Sequence, residues 1–383
     1  MTATNASPSN ADVAKGKRPS DSLSNEQLHK LLYDMMLIRR FEEKTMQAYQ
    51  KGKIGGFCHI YIGQEACAVG SINALKDDDP IVGPYRDHGH ALARGMHPNY
   101  CMAEMYGKIT GCAKGKGGSM HMFDRDRHMY GGHAIVGGQM PLGAGLGFAI
   151  QYEEKDNAAL CYFGDGALNQ GATFESFNLA AIWNLPVIFV LENNNYSMGT
   201  HIARGTAMAN DLKAKAEAFG MRYAECDGLD VLDVYDCFTQ QVAMTRNAKN
   251  PQWKRGDWDQ ITYDREGANP GPAFINVKTY RYQGHSMSDP QKYRTKDEVG
   301  EFKDRDCINM LVNRLIEDGK ATQEQCEELD NKAKEVSKQA VKFAEDSPEM
   351  PVEEMFTDVY ANPFGPYAKG GLPNIITNEN SGE

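Results

Sequence analysis

No apolar run in the 383 residues approaches the ~20 consecutive residues that a membrane-spanning helix needs. The nine cysteines include no CxxC pair, which argues for a reducing compartment and against both a disulfide framework and structural zinc. Positive charge is in deficit: 41 Lys and Arg stand against 52 Asp and Glu, a net charge of −11, so no broad nucleic-acid footprint is expected. The opening stretch MTATNASPSNADVAKGKRPSDS has no apolar core and few arginines. It is expected to be a disordered, uncleaved leader rather than a secretory or organellar signal. On that reading the chain works in a bacterial cytoplasm, with a mitochondrial matrix as the alternative. What is present is 41% hydrophobic residues, ample for a sizeable core.

Residues 1–21 and 364–383 read as polar tails around one α/β body, 22–363, whose C-terminal part, about 298–347, is helical. Helical spacing appears early, at Leu28, Leu31, Leu32, Met35 and Met36. Residues 52–150 are rich in glycine and hold most of the histidines. Within them GCAKGKGGSMHM, 111–122, reads as a loop, and without Gly-Lys-Ser/Thr it is no Walker motif. GAGLG, 143–147, hints at a dinucleotide fingerprint, but Phe148 follows where a small residue should stand. We read it as close helix packing. Residues 158–192 give strand, helix, strand, with Asn169 to Trp183 helical and Phe174, Phe177 and Ala181 on one face. AFINVKTYRY, 273–282, is another strand. Strands alternating with helices predict a mainly parallel sheet covered on both faces. Residues 248–272 look like a surface insertion. Thr322 and Gln325 form a capping box, and the helix after them carries a stripe of Cys326, Leu329, Ala333, Val336, Ala340 and Phe343 that should pack on the body.

One apolar strand ends in CYFGDG, with Asp165 held between Gly164 and Gly166. The next ends in ENNNY, placing Asn194 29 residues later with one helix between. A right-handed crossover brings both residues to the carboxyl edge of the sheet, where ligands of open α/β sheets bind. A carboxylate and an amide oxygen are hard donors that suit Mg²⁺ or Ca²⁺. The N–H groups of Gly166 and Ala167 are expected to open a helix and so to favour phosphate. Alone, Gly-Asp-Gly reads as a turn with an exposed Asp; with ENNNY closing the next strand, it reads as a diphosphate site bridged by one metal, with Asp165 ionised. His88 and His90 form an HxH without a third ligand, so YRDHGH is expected to be a loop ordered around Arg86. His285, in a Gly-His-Ser loop after a strand, is expected to titrate near neutrality and donate to a phosphate or substrate oxygen. The residues alone leave His59 undecided, and His121, His128 and His133 receive no chemistry.

The stretch from GDGALNQG to ENNNYSMGT resembles the thiamin diphosphate-binding motif. GGFCHIYIGQEA, YRDHG, GCAKGKGGSMHM, GGHAIVGGQMPLGAG and YRYQGHSMSDP extend the resemblance over roughly residues 25–360, to the alpha subunits of pyruvate dehydrogenases, first components of the 2-oxoacid dehydrogenase complexes. The resemblance implies a thiamin diphosphate-binding fold and, as metal ligands for Mg²⁺, Asp165, Asn194 and the carbonyl of Tyr196. It implies diphosphate contacts from Gly166, Ala167, Tyr85, Arg86, Asn194 and His285. Ala134 and Val136 would line the aminopyrimidine, with Met198 as a wedge under the cofactor. His59 and His285 would be the catalytic histidines. Ser286 matches a serine that a dedicated kinase modifies in mitochondrial enzymes, but DPQKYRT lacks the loop's second serine, which argues against kinase control. Ala134 also departs from the family's usual Gly.

The activity so implied is oxidative decarboxylation of pyruvate, with acetyl passed to the lipoyl domain of an acyltransferase component. The chain is too short to hold both cofactor-binding domains. A beta subunit is therefore expected as an obligate partner, in a heterotetramer of two alpha and two beta chains, supplying the acid that acts on the pyrimidine. Acetoin and branched-chain oxoacid dehydrogenases are the alternatives. A nicotinamide-dependent reductase would need an intact glycine fingerprint, which is absent. A scaffold without activity would not retain Asp165, Asn194, Arg86 and His285 together.

Overall fold

The computed structural model describes residues 17–246, 248 and 270–358. Among these residues eight strands occur in chain order: β1 Ile81–Pro84, β2 Met129–His133, β3 Ala159–Gly164, β4 Val187–Asn193, β5 Tyr196–Ser197, β6 Thr200–His201, β7 Arg222–Asp227 and β8 Ala273–Lys278. Six form one parallel sheet in the order β2-β1-β3-β4-β8-β7, and β5 and β6 form a small antiparallel hairpin. The expected parallel α/β architecture is what the chain adopts. The last expected strand is shorter than its apolar run, ending at Lys278 rather than 282.

Side chains alternate across a strand, so a sheet covered on both faces must be apolar on both. Leu160, Tyr162, Ile188, Val190, Ile275 and Val277 point into one core, with the helices Asn25–Gln50, Glu65–Asn73 and Val231–Thr245. Cys161, Phe163, Val187, Phe189, Leu191 and Phe274 point into the other, with Met140, Ala144, Phe177 and Ala180 from the helices Gln139–Tyr152 and Gly171–Ile182. The second of these helices buries Thr173, Ser176, Phe177 and Ala180; of the expected face only Phe177 is fully inside, while Phe174 is half-buried and stacks on Phe219. GAGLG is helical packing, as read: a Cβ on Gly143 would sit 2.5 Å from that of Cys161, so only glycine lets this helix approach β3.

The capping box at Thr322 and Gln325 is present, and the helix it opens, Gln323–Asp346, packs on the body against the helices Asn25–Gln50 and Pro98–Met105. Arg40 grips Asp330 on it with two bonds of 2.6 and 2.9 Å. The expected N-terminal tail ends earlier than residue 21. Pro19–Ser22 form a 3-10 turn, and Ser20 donates its N–H and hydroxyl to Asp236 at 2.6 and 2.8 Å. The remaining tail residues, and most of the 248–272 insertion, lie outside the described residues.

The glycine-rich loop cradles a carboxylate, not a phosphate. Glu104 is wholly buried, and its two oxygens accept the N–H groups of Ala113, Gly115, Gly117 and Gly118 at 2.7 to 3.1 Å. A Cβ on Gly111 would fall 2.3 Å from this carboxylate, which explains a glycine there.

Candidate active site

Parallel pairing of β3 with β4 sets Gly164 opposite Glu192, so Asp165 and Asn194 emerge together at the carboxyl edge. Between this edge and the segments 57–64, 84–86, 134–139 and 281–286 lies a cavity of about 540 Å³. Its lining includes His59, Tyr85, Arg86, Ala134, Val136, Asp165, Gly166, Ala167, Asn194, Tyr196, Met198, His285 and Ser286. Every site residue expected from the sequence is therefore on one wall or another of this space.

Asp165 is buried. Its Oδ1 accepts the Gly166 N–H at 3.1 Å, while Oδ2 accepts no hydrogen bond from the described residues. Burial pushes its pKa up, against the pull of Ser197 and Arg281. Burial raises the cost of the charged form, so a cation beside this oxygen would favour the ionised carboxylate expected of a metal ligand. Asn194 is fixed from both sides, donating to Gln64 at 3.1 Å and accepting the Tyr196 N–H at 3.2 Å. The Tyr196 carbonyl receives a long bond, 3.4 Å, from the buried Arg281, which leaves it a second lone pair. At Gly164 a Cβ would meet nothing within 4 Å, and at Gly166 it would meet the Ser197 hydroxyl at 2.9 Å. Glycine thus keeps the space beside Asp165 open on one side and permits close packing on the other.

No group of three or more His, Cys, Asp or Glu side chains among the described residues could hold a metal alone. That agrees with the chemistry of Mg²⁺, which is bound through one or two carboxylates together with phosphate oxygens and water rather than in an all-protein cage. The orphaned Asp165 oxygen and the neighbouring amide oxygen fit such an ion.

The N–H groups expected at a helix start are arranged differently. Gly166 spends its N–H on Asp165, Ala167–Asn169 form a single 3-10 turn, and the helix proper starts at Gly171 with Gln170 as its N-cap. YRDHGH is likewise not a loop throughout: His88–Ala93 is a short helix with both histidines fully buried behind the cavity. His90 Nε2 lies 3.1 Å from Glu192, which also accepts the Tyr61 hydroxyl.

Arg86 is buried and donates to the Ile60 and His285 carbonyls at 2.6 and 2.7 Å, so three of its five N–H groups remain for a ligand. Burial, then the charge of Arg281, lowers its pKa to about 10, and it stays a cation. The rings of His59, Tyr85 and His285 meet in a triangle, with centroids 4.6, 5.0 and 5.6 Å apart. Burial and then Arg86 push His59 down to about 4 and His285 to about 3. The expectation that His285 titrates near neutrality is thus overturned by burial and by the two arginines beside it. His59 Nδ1 lies 2.8 Å from the His285 carbonyl, so it carries the proton, and the neutral ring leaves Nε2 as a proton acceptor.

Met198 is 65% exposed and holds a left-handed φ of 52°, and Phe57 and Val136, which also line the cavity, are exposed too. Ser286 lies within hydrogen-bond distance of Ser288, at 3.0 Å. Sequence reasoning missed Arg281, Gln64 and Glu192, all lining the cavity. For Arg281 a signal was available: a single cation inside the aromatic run TYRY, which only a buried role explains.

Residues 33–252 and 260–353 match the protein family described as Dehydrogenase E1 component. The pyruvate dehydrogenase E1 component subunit alpha of Rickettsia bellii (strain RML369-C) is 45% identical over 336 residues, 88% of this chain and 96% of the relative. That of Rhizobium meliloti (strain 1021) is 44% identical over 357 residues, 93% of this chain and 96% of its own. The mitochondrial somatic form of Bos taurus is 40% identical over 330 residues, 86% and 78% of the two chains.

Proposed function

Because this chain belongs to the dehydrogenase E1 component family, we propose that it is the alpha subunit of a thiamin diphosphate-dependent pyruvate dehydrogenase, oxidatively decarboxylating pyruvate and passing acetyl to a lipoyl group. The observation that carries this reading is a single cavity lined at once by Asp165 with its unpartnered oxygen, Asn194, Arg86, His59 and His285. Bound there, thiamin diphosphate supplies the electron sink that lets carbon dioxide leave a 2-oxoacid. Asp165, Asn194 and the Tyr196 carbonyl would hold Mg²⁺. Arg86, Tyr85, Ala167 and His285 would hold the diphosphate, with Ala134 and Val136 along the pyrimidine and Met198 beneath it. His59 Nε2 accepts or returns a proton at the reacting end. Glu192 faces the cavity, but its Oε1 is engaged by Tyr61 and His90. The acid that acts on the pyrimidine would come from a beta subunit across the exposed mouth, in a heterotetramer of two alpha and two beta chains. A lipoyl domain of the acyltransferase component is the acceptor. The body would be one diphosphate-binding unit that starts at Pro19 rather than 22, because Ser20 is tied to Asp236. We place the enzyme in a bacterial cytoplasm, in line with the Rickettsia and Rhizobium sources of its relatives, with a mitochondrial matrix as the alternative.

Co-expression with the candidate beta chain, followed by comparison of pyruvate, branched-chain 2-oxoacids and acetoin, tests the assignment. Pyruvate is expected to give the highest kcat/KM. A preference for acetoin would move the chain to the acetoin-cleaving relatives.

A further inference from the structure

His59 reaches the cavity from a three-residue strap, 59–61, that belongs to no strand or helix. Such a segment has no ladder to hold it, so its backbone groups must find partners elsewhere. They find them in a buried polar layer behind the site. The His59 N–H donates to the Ser119 hydroxyl at 3.2 Å, the Ile60 carbonyl accepts Arg86, and the Tyr61 N–H donates to Glu42 Oε1 at 2.6 Å. Glu42 and Ser119, which hold the two ends of the strap, are joined by one side chain. His88 Nδ1 lies 3.0 Å from both Glu42 oxygens, and His88 Nε2 lies 2.9 Å from the Ser119 carbonyl and hydroxyl. Nδ1 donates to the Glu42 carboxylate, and Nε2 is shared between the Ser119 carbonyl and its hydroxyl, so one ring ties both anchors together. The Glu42 and His88 side chains are completely buried, and Ser119 is nearly so.

Burying a carboxylate and an imidazole together is a costly way to gain stability, because desolvation offsets most of their attraction. Nor does this pair touch the cavity, whose lining contains neither Glu42, His88 nor Ser119. What it does is set the distance between two anchor points on either side of His59. We propose that Glu42, His88 and Ser119 form a positioning frame that fixes the His59 imidazole at the reacting end of the cavity. The frame rests on the reading of His59 as a catalytic residue and acts only through it. Glu42 and His88 are positioning residues; neither meets substrate.

The test is a double-mutant cycle in the assembled enzyme, with pyruvate as substrate. His88→Phe keeps a ring of similar size and removes both bonds; Ser119→Ala removes the hydroxyl with little loss of volume and serves if the first variant folds poorly. Either is expected to lower kcat roughly tenfold to a hundredfold, the scale on which small misplacements act, with KM for pyruvate and thiamin diphosphate affinity within about twofold of wild type. In a His59→Ala background the same substitutions are expected to cost less than about twofold, because the group they position is gone. His88→Gln, which keeps an N–H toward Ser119, should recover part of kcat. Two results overturn the frame: equal losses in both backgrounds, or losses confined to KM and cofactor affinity. An unchanged kcat in His59→Ala alone would instead overturn the role of His59 itself and the frame with it, so the two failures are told apart by that single variant.

Discussion

Arg86 and His59 donate to the same atom, the carbonyl oxygen of His285, at 2.7 and 2.8 Å. One carbonyl therefore fixes the guanidinium on the phosphate side and the imidazole on the reacting side, and it couples both to the loop that carries His285. Lysine at position 86 could reach one acceptor but not span Ile60 and His285 while still presenting N–H groups inward. Arg86→Lys should weaken thiamin diphosphate binding by ten- to a hundredfold, on the basis of roughly 1.5–3 kcal/mol for a charge-assisted bond. Equilibrium titration of the assembled enzyme with cofactor at fixed Mg²⁺ measures this. An affinity equal to wild type would remove Arg86 from the phosphate site.

Asp165 makes a prediction with two halves. Its unpartnered oxygen is a cost in the absence of a cation and a ligand in its presence. Asp165→Ala should leave the melting temperature without ligand unchanged or higher. It should also abolish the rise in Tm that Mg²⁺ and thiamin diphosphate give the wild type by linkage. Calorimetry with and without both ligands checks each half. A mutant that still gains Tm with the pair would refute the metal assignment.

The two cavity histidines make the protein sensitive to acid. His59 falls to about 4 and His285 to about 3 in the fold, against an ordinary value near 6.5. Between these values the unfolded chain binds protons that the folded one refuses, so stability rises with pH there. Their contribution is fully present above about pH 6.5 and is lost as pH falls toward 4 for His59 and toward 3 for His285. Replacing both with Gln should flatten ΔG against pH across that window while leaving other acid-labile groups in place. Urea midpoints at pH 4.5, 5.5 and 7 on both proteins provide the comparison, and parallel curves would contradict the burial argument. An anionic diphosphate beside His285 would raise its pKa and narrow the effect, so the measurement belongs on ligand-free protein.

What the sequence made legible follows from how local each signal is. Strand periodicity and Gly-Asp-Gly are short-range, so the sheet, its carboxyl edge and the pairing of Asp165 with Asn194 could be read directly. The helix expected at Ala167 was misplaced because Gly166 turns its N–H back onto Asp165, a competition between a side chain and a helix start that composition does not show. Glu104 and Glu42 were illegible for the opposite reason. Their partners lie 9 to 14 and 19 to 46 residues away, and only the tertiary fold brings them together. The depressed pKa of His285 was out of reach too, since it depends first on burial and then on Arg86, 199 residues earlier in the chain.

Glu104 is the strongest single test of how the glycine-rich loop is held. Four N–H groups converge on its carboxylate, and no other acceptor among the described residues serves them. Glu104→Gln changes almost no volume but turns one acceptor oxygen into an NH₂ facing two N–H donors. The substitution should cost about 2–4 kcal/mol, the range for breaking a buried hydrogen-bond network. It should also speed proteolysis within 111–118, because the loop loses the group that orders it. Since Ser119 follows directly, kcat should fall along with stability, whereas Glu104→Asp, which keeps the charge one methylene short, should fall between wild type and Gln. Denaturant midpoints and limited proteolysis on the three proteins read this out. A Gln variant as stable and as protease-resistant as wild type would show that the loop's own backbone, and not the carboxylate, sets its shape.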